Sequence, residues 1–207
     1  MRSTSGSRLA AAALAAAATL TAAGCGGSGS SGVATTAPPP ANGLRGLVPQ
    51  PLPRTPQFTL TDTSGRPFDF AARTRGKLAY LYFGYTHCPD ACPATMDELL
   101  YALRRQRESV RRQVEVVFVT VDPRRDTRRR LRAWLDHFSP SFVGLRGTES
   151  QIEQAEQAAG IPFVRGVYTQ HSSFVLPFSP DGRAHVVYAQ GFRPDDYAHD
   201  LPLLLAY

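Results

Sequence analysis

Cys88 and Cys92 stand four residues apart in the run Phe83-Gly84-Tyr85-Thr86-His87-Cys88-Pro89-Asp90-Ala91-Cys92-Pro93. A short apolar run, Leu78–Phe83, precedes them and a helical pattern follows. The pair therefore falls at the exit of a buried strand and the start of a helix, where open α/β sheets place their ligands. A thiol there faces unpaired N–H groups and the positive end of the helix, which favours thiolate. Metal binding and thiol–disulfide exchange both need that form. On a helical turn this spacing puts Cβ atoms about 5–6 Å apart, wider than the roughly 3.8 Å typical across a disulfide. A small adjustment at the loop-to-helix boundary could close the gap, or the two sulfurs could instead grip one ion. Soft thiolates select Cu(I), zinc or iron–sulfur clusters, and an added imidazole suits copper or zinc. Structural zinc would want four ligands, where the folded domain offers one cysteine pair.

The flanking elements follow from pattern. Phe58–Thr61 and Pro67–Phe70 bracket Asp62-Thr63-Ser64-Gly65, the signature of an N-terminal hairpin. Leu78–Phe83 and Val114–Val121 are apolar on both faces, as strands buried under helices on both sides must be. Between them Met96, Leu99, Leu100 and Leu103 recur at helical spacing, with Pro93 in the first turn and arginines at the end. A second helix starts near Asp126-Thr127, with Asp126 expected to cap it, and carries Leu131, Trp134, Leu135 and Phe138 on one side. A third begins at Thr148 with Gln151 completing a capping box and stops at Gly160. Ser172–Phe178 and Arg183–Ala189 flank Ser179-Pro180-Asp181-Gly182 as a late hairpin, and Pro194 opens a last helix that Pro202 would kink or interrupt. A parallel strand–helix–strand unit, an antiparallel pair and a closing helix make a thioredoxin-like α/β fold: a central mixed sheet flanked by helices, with an N-terminal hairpin extension.

The ends carry different information. Arg2 and Arg8 precede an alanine-rich run, Leu9–Leu20, too short for a comfortable membrane span, and Ala22-Ala23-Gly24 leads to Cys25. Residues 1–24 are expected to be a signal peptide. Cys25 stands where a bacterial lipobox places its acylated cysteine, although Ala22 occupies the usual Leu position. Residues 25–56 then form a tether poor in large apolar groups, and residues 57–207 the domain. These readings put the protein on the extracytoplasmic face of the cell membrane. In 207 residues of net charge +6 the basic runs Arg104–Arg112 and Arg124–Arg132 are expected on solvated helix ends and faces, with no nucleic-acid partner.

The run from Gly84 to Pro93 resembles the Sco/SenC signature G-x-T-x-C-P-x-x-C-P. Val119-Thr120-Val121-Asp122-Pro123 with Arg124-Arg125-Asp126-Thr127 is similar to that family's second block, and His171-Ser172 to its third. The resemblance covers Leu52 to Tyr207. It implies copper, Cu(I) or Cu(II), held by Cys88, Cys92 and His171, and a role in delivering copper to, or reducing the thiols of, the cytochrome c oxidase subunit that carries the binuclear copper site. Gln170 stands where the family has Asp, Pro177 interrupts an expected strand, and Asp122 and His87 are candidate supporting residues. A metallochaperone is the first reading. A thiol–disulfide oxidoreductase cycling Cys88 and Cys92 is the alternative, and His171 favours metal because a dithiol reductase needs no third ligand.

Overall fold

The computed structural model describes residues 43–161 and 174–207, so Cys25, Gln170 and His171 lie outside the described residues. Core side chains run from Leu44 to Leu204, all within a compact unit spanning residues 38–207, which is therefore a folding unit in its own right.

The elements are β1 (Thr59–Asp62), β2 (Pro67–Asp69), α1 (Phe70–Thr74), β3 (Leu78–Gly84), α2 (Ala91–Arg104), α3 (Glu108–Arg111), β4 (Val114–Thr120), α4 (Arg128–Asp136), β5 (Val143–Arg146), α5 (Glu149–Ala158), β6 (Val175–Phe178) and α6 (Pro194–Leu204). Six strands form one sheet in the order β2-β1-β5-β4-β3-β6. Strands β3, β4 and β5 are parallel, β3 pairing with β4 from Leu78–Val114 to Gly84–Thr120, while β6 and the β1–β2 hairpin run antiparallel.

The period of two along β3 divides the core. Leu78, Tyr80 and Tyr82 face Met96 and Leu99 of α2, Leu131 and Leu135 of α4, and Leu201 of α6. Ala79, Leu81 and Phe83 face Phe70 of α1 and Ile152 and Ala155 of α5. Every β3 side chain is buried, which explains its unbroken apolar run.

Five differences from the sequence expectation stand out. Strand β5 is only four residues with a central glycine, too short to show a period. Pro177 does not break β6. Both polar groups of Val175 bond Tyr188 on the outer arm, so two residues on the missing N–H of Pro177 also faces away from β3. The outer arm itself is no regular strand: it makes single bridges at Arg183, Val187 and Tyr188, the first two to Arg54 and Leu47. The stretch from Leu44 to Thr55, expected as tether, is laced to this arm, with Leu44 in the core and the Asp200 carboxylate accepting from the backbone N–H groups of Arg45 and Gly46. Finally, α6 continues past Pro202 to Leu204 without interruption.

Candidate metal centre

The β3–α2 junction is held in place before any metal is considered. The backbone N–H of Val121 donates to the Gly84 carbonyl at 2.8 Å, extending the β3–β4 ladder one step past the strands. Beyond it the chain turns through Tyr85–Pro89 into α2, where the Asp90 carboxylate accepts from the Ala91 N–H at 2.6 Å.

A buried carboxylate fixes the loop. Asp126 is fully buried. Its Oδ2 accepts from the Thr86 N–H at 3.0 Å and from the Thr120 hydroxyl at 2.6 Å, and its Oδ1 from the Thr86 hydroxyl at 2.5 Å. His87 Nδ1 lies 3.5 Å from the same Oδ1. A carboxylate removed from water needs such donors, and here they come from the cysteine loop and the end of β4. Asp126 therefore does not cap α4 as expected; the Thr127 hydroxyl does, accepting from the Arg130 N–H at 3.2 Å. Asp122 keeps its carboxylate within its own turn, bonded to the backbone and guanidinium of Arg125.

The two sulfurs occupy different environments. Cys92, in the first turn of α2, is completely buried, whereas Cys88 is partly open to solvent; neither forms a disulfide. The Cys92 N–H points at the Cys88 sulfur, 3.3 Å away, so the start of the helix solvates the outer sulfur. The Tyr82 hydroxyl donates to the Cys92 sulfur at 3.6 Å, and Tyr85 places its hydroxyl on Cys88. Burial pushes the Cys92 thiol up to about 12, with the neighbouring Cys88 adding to the rise and bonds from Tyr85 and Tyr82 opposing it. Burial also raises Tyr82, and Tyr85 is raised by burial and by the adjacent Cys88. Cys92 is thus a neutral thiol at ordinary pH, and an ion bound there must displace its proton.

Gly84 makes room for this arrangement. A Cβ at that position would lie 2.9 Å from the Cys92 sulfur, 2.8 Å from Tyr82 Cε1 and 3.0 Å from Phe118 Cε2. The signature glycine is a matter of space beside the inner sulfur.

Of the sequence candidates, the structure brings together Cys88, Cys92 and, through Asp126, His87. Among the described residues no group of three or more His, Cys, Asp and Glu side chains could hold a metal. Asp126, Tyr82 and Tyr85 were not anticipated in these roles. Their signal was weak, since Tyr82 sits among the core residues of β3 and Asp126 precedes a helix like any cap.

Residues 49–206 match the sequence model of the SCO1/SenC family. The chain belongs to this family. A Stutzerimonas stutzeri protein described as copper-binding is 34% identical over 139 residues, 63% of this chain and 68% of that protein. The bovine mitochondrial SCO2 homologue is 35% identical over 133 residues, 60% of this chain, and the chain spans only half of its length. Among solved structures, Bradyrhizobium japonicum ScoI with copper bound shares 31% identity at a TM-score of 0.62, over 74% of this chain and 99% of that one. The mixed six-stranded sheet between helices is the thioredoxin-like fold of these SCO1/SenC structures.

Proposed function

We propose that this SCO1/SenC protein is an extracytoplasmic, lipid-anchored copper carrier. It takes copper on Cys88, Cys92 and His171 and supplies the binuclear copper centre of cytochrome c oxidase. The observation that carries the reading is the unequal sulfur pair: one open, one sealed, both at the start of α2, in a chain whose relatives include a protein described as copper-binding and a copper-bound structure. The donor set fits the cargo, because two soft sulfurs suit Cu(I) and an imidazole extends the set towards Cu(II). The open sulfur suits first contact and release, and the inner one, screened from water, suits retention. Asp126 holds the loop so that the pair keeps its spacing. Cys25 in its lipobox context supports anchoring, and among the described residues no helix is long and apolar enough to cross a membrane. The recipient follows from the family resemblance.

Anaerobic titration of residues 38–207 with Cu(I) tests this. The parent should take up one equivalent while losing two titratable thiols, and Cys88→Ser or Cys92→Ser should weaken binding at least a hundredfold. Parent-like affinity in either serine variant would refute the site.

A further inference from the structure

The pole opposite the cysteine pair carries a feature that copper binding does not use. Helix α2 is 14 residues long, and its C-terminal end at Arg104 lies about 18 Å along the helix from Cys92. There the connection through α3 to β4 presents Arg104, Arg105, Arg107, Arg111 and Arg112, all exposed, against one acid, Glu108. Glu108 pairs with Arg112 at 3.1 Å, leaving Arg104, Arg105, Arg107 and Arg111 without an acidic partner among the described residues. Beside them is an open groove of about 570 Å³ whose lining includes Leu100, Leu103 and Phe138 together with Arg104, Arg111 and Arg112; the two acids that also line it are already paired, Glu108 with Arg112 and Glu115 with Lys77. Apolar side chains beside unpaired guanidinium groups offer both kinds of contact a lipid interface makes, with charged headgroups and with hydrocarbon.

We propose that this arginine face docks on an anionic phospholipid surface and so turns the Cys88–Cys92 pole away from the bilayer. The proposal rests on the lipid anchor proposed above for its setting. Only 17 residues separate Cys25 from Gly43. That length spans at most about 60 Å extended and roughly 23 Å as a flexible coil. A head tied so closely meets the membrane continually, and attraction between arginines and anionic headgroups acts within a Debye length, about 8 Å in physiological salt. The face that docks then decides which face is presented to a partner.

Residues 38–207, which lack the anchor, allow a direct test by co-sedimentation with vesicles of phosphatidylcholine alone or with about one third phosphatidylglycerol. Binding should need the anionic lipid, and the Arg104→Ser/Arg107→Ser/Arg111→Ser variant should lose at least tenfold in affinity, whereas the triple lysine variant should bind. Arg128, Arg129 and Arg130, exposed at the start of α4 on the other side of the sheet's length, supply a control of equal charge. Changing all three to serine should alter binding less than twofold, and Cys88 of the vesicle-bound domain should stay open to an impermeant maleimide. An equal loss in the control, binding to neutral vesicles, shielding of Cys88, or equal displacement by polyglutamate would each overturn the proposal. Acylation of Cys25 and copper uptake are measured separately, so failure of those readings is distinguishable from failure of this one.

Discussion

At the scale of single residues, the site depends as much on groups around the sulfurs as on the sulfurs. Asp126→Ala would leave the Thr86 N–H and hydroxyl, both part-buried, and the buried Thr120 hydroxyl without their acceptor. Each such loss costs about 1–3 kcal/mol where water cannot enter. The variant should lose about 3 kcal/mol of unfolding free energy in urea while keeping its secondary structure; a loss under about 1 kcal/mol would mean that the loop does not need the clamp. Glu156 gives a pH signature. It is 4% exposed on α5, and burial, helped by Glu153, raises its carboxyl to about 7 from 4.5. Below pH 4.5 both folded and unfolded chains hold this proton, so the group has no effect. Between pH 4.5 and 7 the unfolded chain releases it first, and stability falls as pH rises, by at most about 3 kcal/mol in all. Glu156→Gln should therefore stabilise the protein at pH 8 and leave it nearly unchanged at pH 4, read from paired urea midpoints. A gain confined to acid pH would contradict the assignment.

The elements show why some of the fold was legible and some was not. Strands β3 and β4, helices α2, α4 and α5, and the capping box of Thr148 and Gln151 announce themselves through apolar period and cap chemistry. Strand β5 and the four-residue α3 carry too few positions for a period, and the outer arm of the late hairpin is shaped by contacts with the segment around Leu47 and Arg54, far off in sequence. The candidate site divides in the same way. Cys88 and Cys92 are visible from spacing, whereas the Asp126 clamp spans 40 residues to Thr86 and only the β3–β4 register brings it there. Pro202 shows a tertiary contact overriding a local rule. Lacking an N–H, it leaves the Ala198 carbonyl without its helical donor, and Gln106 Nε2 supplies one at 3.0 Å. Gln106→Ala should cost about 1 kcal/mol in the parent and less in a Pro202→Ala background, where the helix can bond its own carbonyl. Equal costs in the two backgrounds would show that the contact does not compensate for the proline.

Across the whole molecule the sheet would keep the two proposed duties apart. The C-terminal ends of β3 and β4 carry the cysteine loop, and their N-terminal ends lie with the arginine face, so a carrier can be held at one pole and exchange its ion at the other. The central claim concerns the first pole, and X-ray absorption at the copper edge of Cu(I)-loaded parent and His171→Ala protein tests it most directly. The parent should show two sulfurs and one nitrogen around copper, and the variant the two sulfurs without the nitrogen. A shell identical in the two proteins, or one holding fewer than two sulfurs in the parent, would contradict the account.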